Sequence, residues 1–421
     1  MTYLQNPLAT DEQHRFELRA LEIFNSEPVA VARAEVREHW LREADPSTDM
    51  LGCFDAAFEE VMFGAVIWSL NQDPMNPAVV TISRVAHELQ GQRVPGSRWG
   101  IDNPDSVYRV IPISGSEQYI IRGSVARNRL SENYFTLWDE KMNTVDVLDG
   151  SNLQLDDAGQ FEITVDANPA AGRPNHIQSD ATAHQFYIRD VLQDWDVEMV
   201  NSLTIERIGA TTWRQWSDAE DIANAIRFMW DYANNTMRWN QQALGKPVNS
   251  FDFKIDRDTD GALRNQVYIM GQFQLGAGEV LVVDIDLGGA NYFIAPITNI
   301  WGTTNKIQDA NGSMNLAQSR ANADGGYTFV VSVDDPGVVN WIDTAGMSEG
   351  ILTLRWAEFV GGEPAESLSA SGSVVQLSEL GPLLDMETQG LSKNQRQQQL
   401  EAREKSYAWR VSSDHAFAKQ L

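Results

Sequence analysis

Hydrophobic positions recur at helical spacing over the first seventy residues and then change to short alternating runs. Phe54, Phe58, Val61, Met62, Ala65 and Trp68 predict one helix over Asp49–Leu70. Two helices precede it. Thr10 and Gln13 form a Thr-x-x-Gln capping box before His14–Phe24, and Pro28 suits the first turn of a helix reaching Ala44. Asp73-Pro74-Met75-Asn76-Pro77 closes this block. From Val79 the runs are β-branched and aromatic: Val107–Ile113, Tyr119–Val125, Tyr134–Trp138, Phe161–Val165, Gln185–Arg189 and Leu203–Ile208. Ser114-Gly115, Asp149-Gly150, Ala158-Gly159 and Pro169–Pro174 separate them, a spacing that predicts an antiparallel sandwich or barrel. Ser217 and Glu220 then cap a long helix stopped by Gly245 and Pro247. Val267–Phe273, Val280–Ile285, Tyr292–Ala295, Tyr327–Val333 and Ile351–Phe359 make a second β region.

The two β regions read as repeats. SGSEQYIIRG at Ser114–Gly123 pairs with LGGANYFIAP at Leu287–Pro296, and DAGQFEITVDANP at Asp157–Pro169 with ADGGYTFVVSVDDP at Ala323–Pro336. Asn175-His176 then matches Asn340-Trp341, and HQFYIRD (His184–Asp190) matches GILTLRW (Gly350–Trp356). The expected fold is mainly β with helical additions: two jelly-roll-like antiparallel β-sandwich modules, an N-terminal helical subdomain and a long linking helix. The boundaries are 1–75 for the helical subdomain, 76–210 and 251–380 for the sandwiches, 211–250 for the linking helix and 381–421 for a polar C-terminal helix and tail.

Charge narrows the partners. The net charge of −27 repels nucleic acid and anionic membranes, and favours a neutral or cationic small molecule unless local arginines compensate. The apolar run Val61–Leu70 is far below the roughly 20 residues that span a bilayer. The N-terminus lacks the basic and apolar regions of a secretory signal, so a cytoplasmic location is expected. A lone cysteine, Cys53, rules out an intramolecular disulfide and a zinc or iron–sulfur centre held by a cysteine cluster. Ser392–Lys405 is polar, and the tail from Lys393 is mildly basic. Such a helix should dock by charge on its own acidic body or on a neighbour, which allows a homo-oligomer through this helix.

RWGIDNPDSVYRVIPISG, GRPNHIQ, the IRDVLQDW run and DPGVVNWIDTAGMSEGILTLRWAEF resemble the family called domain of unknown function 1214. The resemblance runs from Trp99 to about Phe359 and is strongest over Asp335–Trp356. It implies a jelly-roll-like fold and a setting in bacteria that degrade steroids, terpenoids and aromatic compounds. It carries no agreed catalytic residues.

Candidate chemistry comes from the loops. His176 has the resting pKa for proton exchange near neutrality. Asp190 or Asp194 could orient it, Arg173 could stabilise an oxyanion, and Trp341 could stack a flat substrate. Asn175, Tyr108, Asn340 and Asp343 complete the expected substrate-binding set, placed around a cleft where the modules meet. The Asp102-Asn103-Pro104-Asp105 turn, followed by Tyr108 and Arg109, is a second candidate. Asp256, Asp258, Asp260 and Gly261 match the start of a calcium loop, but its twelfth position is Val267, so only a structural calcium is entertained. No Gly-x-Ser-x-Gly elbow, Walker A loop, Gly-x-Gly-x-x-Gly or His-Glu-x-x-His is present. The leading expectation is an acid–base enzyme without an organic cofactor, a lyase, hydrolase or isomerase. Its substrate would be an uncharged, largely apolar small molecule. The alternative is a non-catalytic binding or assembly protein for a carbohydrate or lipophilic ligand.

Overall fold

The computed structural model describes residues 2–126, 130, 132–209, 214–254, 266–384, 390–414 and 416–419. Strand β1 (Thr2–Gln5) is followed by helices α1 (Asp11–Phe24), α2 (Glu27–Ala44), α3 (Thr48–Gly52) and α4 (Phe54–Ser69). Thr10 caps α1 by accepting from the Gln13 amide, as its spacing predicts. The single helix expected over Asp49–Leu70 is two, broken at Cys53, whose ψ of 0° interrupts the helical run. Apolar spacing continues across that break, so periodicity alone does not mark it.

The chain is mainly β beyond this point. Module 1 holds β2 (Val80–Thr81), a small hairpin of β3 (His87–Leu89) and β4 (Gln92–Val94), β5 (Ser106–Pro112), β6 (Tyr119–Ser124), β7 (Glu132–Asp139), β8 (Thr144–Asp149), β9 (Gln160–Asp166), β10 (His176–Gln178), β11 (Ala183–Val191) and β12 (Ser202–Arg207). Helix α5 (Asp218–Leu244) links it to module 2. Module 2 comprises β13 (Phe253–Lys254), β14 (Gln266–Gln274), β15 (Glu279–Asp286), β16 (Ala290–Thr298), β17 (Ser313–Asn315), β18 (Tyr327–Ser332), β19 (Trp341–Asp343), β20 (Glu349–Phe359) and β21 (Ser369–Gln376). Helix α6 (Lys393–Val411) and β22 (Ala416–Lys419) follow, and β22 pairs antiparallel with β1.

The modules repeat one topology. Module 1 has sheets ordered β10-β9-β6-β12 and β2-β5-β11-β7-β8, and module 2 has β19-β18-β15-β21-β13 and β14-β20-β16-β17. Strands β9, β10 and β11 therefore correspond to β18, β19 and β20, and the two short edge strands β10 and β19 are both parallel to their neighbours. The repeat extends to single bonds. Gly159 (φ 75°) and Gly325 (φ 91°) close equivalent turns, each bonding back three residues to the Asp156 or Asn322 carbonyl. One pairing made from sequence is corrected. Tyr119 lies on β6, whose equivalent is β15, whereas Tyr292 lies on β16, the equivalent of β7.

Alternation sets the layers. Ile111, Ile121, Phe135, Ile163, Phe186 and Ile188 fill the core between the two sheets of module 1. Residues on the opposite face of its β5-β11-β7 sheet, such as Arg189 and Tyr134, reach module 2 through Gln266 and Glu358. The stack therefore runs from the β10-β9-β6-β12 sheet through the two inner sheets, which meet back to back, to the sheet containing β19. Helices α1, α2, α4 and α5 share a core with module 2 and with Tyr108, Val110 and Tyr187 of module 1. Trp301 joins helices to module 2: fully buried, it packs 4.4 Å from Phe54 and donates to the Met50 carbonyl at 2.7 Å.

Helix α6 docks on its own body. Arg396, Arg403 and Arg410 recur every seven residues, forming one stripe, and all are buried. Arg396 pairs with Asp335 at 3.0 Å and lies over Trp341. Arg403 donates to the Ile307 and Ser313 carbonyls and lies over Trp195, and Arg410 donates to the Pro104 carbonyl. The charged face, expected to dock on its own body or on a neighbour, is thus occupied by both modules of the same chain. Among the described residues no helix is long and apolar enough to cross a membrane.

Candidate functional site

The loop residues singled out from sequence do not converge on the seam. His176 and Trp341 occupy equivalent positions on β10 and β19, but these are edge strands of the two outermost sheets, with both inner sheets between them. Each points away from its own sandwich core, into which the neighbouring Ile177 or Ile342 is packed. The His176 ring is engaged locally by the Thr164 hydroxyl at 2.8 Å and the Asn168 carbonyl at 2.8 Å. Arg173 is committed to Asp166 at 2.6 Å. Trp341 is buried under Leu380 and Leu384 and donates to the Ser332 carbonyl. Asp343, whose carboxyl burial pushes above its ordinary range, accepts from the Ala345 amide.

The asparagines have a structural task, performed twice. The Asn175 side chain accepts from the Gln154 amide and donates to the Gln154 carbonyl, both at 2.8 Å. Asn340 makes the same pair of bonds with Arg320, at 2.8 and 2.7 Å. Each clasps the chain entering the β9 or β18 hairpin, and a clasp with all these groups satisfied has little left for a ligand. Asp190 is not near His176 either. It lies buried between Arg109 at 2.5 Å and Asn133 at 2.8 Å, where burial pushes its carboxyl up against the pull of Arg109. Asp105 of the second candidate turn is also structural. It is fully buried and accepts from Trp195, Asn315 and Tyr292, joining the two modules. Asp256, Asp258 and Asp260 lie outside the described residues. Among the described residues no cluster of three His, Cys, Asp or Glu is placed to hold a metal.

Tyr108 does line a cavity. A cleft of about 560 Å³ opens where the inner sheets splay apart beside α5. Module 1 contributes Tyr108, Tyr187 and Arg189 from one face of β5 and β11. Module 2 contributes Tyr268, Met270, Ile294, Pro296, Thr353 and Arg355 from one face of β14, β16 and β20. Trp239 and Gln242 of α5, with Lys246 just beyond its end, close one side, and Trp99–Asn103 close another. That loop is fixed by the Ile101 amide, which donates to the Gly302 carbonyl at 2.8 Å. Gly302 has φ 81°, and a Cβ there would lie 2.9 Å from the Gly100 Cα, so only glycine permits this approach.

Aromatic rings stiffen the walls. Tyr187 stacks on Trp138 at 4.2 Å and on Tyr108 at 5.3 Å, while Trp99 meets Trp68 and Trp239 edge-on at 4.9 Å each. Such pairs add about 0.5–1.5 kcal/mol each beyond burial. Burial holds the Tyr108 and Tyr187 phenols above their ordinary range, so both stay protonated at neutral pH.

Polar chemistry is concentrated at Arg189 and Arg355, which the repeat makes equivalent. Arg189 sits across from Tyr108 in the β5–β11 ladder, and Arg355 sits across from Tyr268 in the β14–β20 ladder. Both guanidiniums donate to one oxygen of Glu132, at 3.2 and 2.7 Å. Both Nε atoms and the other Glu132 oxygen are buried without a hydrogen-bond partner among the described residues. The sequence carried a signal for this pair: each of the matched strings HQFYIRD and GILTLRW has one arginine, at the same position, in an otherwise largely apolar strand. A second cavity of about 520 Å³ adjoins the first across Trp99, and His184, Glu140 and Asp231 line it.

No family model matches the sequence, and no curated protein matches it. Among solved structures, an uncharacterised protein from Burkholderia cenocepacia is similar at 22% identity and a TM-score of 0.69, covering 86% of this chain and 99% of its own. This likeness shows that the fold is shared. A second similar structure, the VPA0106 protein from Vibrio parahaemolyticus, has 9% identity and a TM-score of 0.44, covering 78% of this chain and 100% of its own.

Proposed function

We propose that this protein binds a flat, largely apolar small molecule in the cleft between its two modules. The observation that carries the reading is the 560 Å³ cleft, walled by Trp99, Trp239, Tyr108 and Tyr187, with Arg189 and Arg355 converging on Glu132 beside it. Small-molecule sites have this composition and occupy about 300–1,000 Å³. Membership of the domain of unknown function 1214 family belongs to the same proposal, because steroids, terpenoids and aromatics are ring compounds of suitable shape. The reading requires no organic cofactor. Binding is tested by calorimetry of the full chain against steroid, terpenoid and aromatic panels, alongside Met270→Trp, which fills the cleft. Micromolar binding that Met270→Trp abolishes supports the proposal; binding indifferent to that substitution removes it.

Acid–base catalysis is the second reading, favoured by one observation. His184 lines the adjoining cavity, and burial holds its pKa below the ordinary value, keeping the ring neutral and able to accept a proton. The reading predicts new products by mass spectrometry from a bound panel compound, lost in His184→Gln while binding is retained.

A further inference from the structure

The cleft gathers positive charge in an acidic chain. The whole chain carries −27, yet Arg189, Lys246 and Arg355 all line this one space. Of the two carboxylates beside it, Asp102 is closed off by Arg98 and by the Thr304 amide and hydroxyl. Glu132 neutralises only one of the two guanidiniums it touches, which leaves a net positive charge before Lys246 is counted.

The donors are also under-used. A guanidinium has five N–H groups. Among the described residues Arg355 has one acceptor, Glu132, although its side chain is only 5% exposed. Arg355 lines the cleft, so an acceptor placed there can take up N–H groups that no described residue engages. A planar fork of N–H groups matches a carboxylate, which can take two parallel bonds from it.

Resting on the binding reading above, we propose that the ligand is an anion: a flat ring compound bearing a carboxylate. The carboxylate lies between Arg189 and Arg355 and the rings lie against Trp99, Trp239 and Met270. A neutral ligand follows from net charge alone, and these local arginines reverse that conclusion.

Calorimetry with two probes tests it, 2-naphthoate and its uncharged counterpart 2-naphthylmethanol. Naphthoate is expected to bind about tenfold more tightly, the scale of one charge-assisted hydrogen bond. Arg355→Met should reduce that preference below about twofold. Glu132→Gln, which frees the guanidiniums, should raise naphthoate affinity and leave the alcohol unchanged; it keeps the test decisive where circular dichroism shows Arg355→Met unfolded. Equal affinity for both probes overturns the carboxylate and leaves the ring-binding cleft intact. Binding of neither removes the cleft as a site, and the carboxylate with it.

Discussion

Glu132→Gln is also the sharpest test of how the seam is held together. The Glu132 carboxylate is fully buried, and its single bonded oxygen joins Arg189 of module 1 to Arg355 of module 2. Removing one member of a buried ion pair typically costs about 3–5 kcal/mol, because the remaining charge is left uncompensated. Two features place this variant near the lower end. Glutamine keeps an oxygen able to accept one of the two bonds, and the Arg189 side chain, 25% exposed, can draw on water. The expected loss is therefore about 3 kcal/mol, read as a lowered urea midpoint with an unchanged slope. Saturating 2-naphthoate should then restore more stability to the variant than to the wild type, since a ligand at a hundred times its Kd contributes about 2.7 kcal/mol. A loss below about 1 kcal/mol would mean that the seam does not depend on this carboxylate, and the charge argument for the cleft would fail with it.

Other perturbations probe the remaining elements. Trp301→Ala should cost about 3–5 kcal/mol and lower the helical and β transitions together, followed by circular dichroism and tryptophan fluorescence, because one side chain joins both cores. Separate transitions would contradict the shared core. His176→Ala should cost under about 1 kcal/mol and leave probe binding unchanged; weakened binding would return the outer loops to the site. Burial raises the Asp105 carboxyl from 3.8 to about 6, so the folded state holds this proton more tightly than the unfolded chain. Its contribution is complete below pH 4 and lost as pH rises through 6. Wild-type stability measured relative to Asp105→Asn should fall on the order of 3 kcal/mol between pH 4 and 7, and a flat difference would refute the assignment.

The legible parts of this fold are those where one residue type has a local task. Thr10, Ser217 and Ser392 each cap a helix by accepting from the amide three residues on, and a hydroxyl at that spacing is visible in sequence. The repeat was legible for the same reason: glycine turns and asparagine clasps need those residues wherever they recur. Strands β10 and β19, three residues each, are too short to show periodicity. The Tyr119–Tyr292 pairing failed because an aromatic entering a strand is common enough to match by chance, and it joined strands that are not equivalent.

The site was harder to read because unusual residues stand out in loops, and loops in a repeated fold are where structural bonds recur. Asn175 and Asn340 are equivalent and both fully engaged with backbone, so their recurrence reports construction. Arg189 and Arg355 are equivalent too, each beside a tyrosine on the next strand, yet each keeps a buried N–H without an acceptor among the described residues. A pairwise match between repeats is therefore ambiguous until the bonds are counted. Where the count closes in both copies the match is architectural, and where it stays open in both, beside one cavity, it marks the residues on which the binding proposal rests.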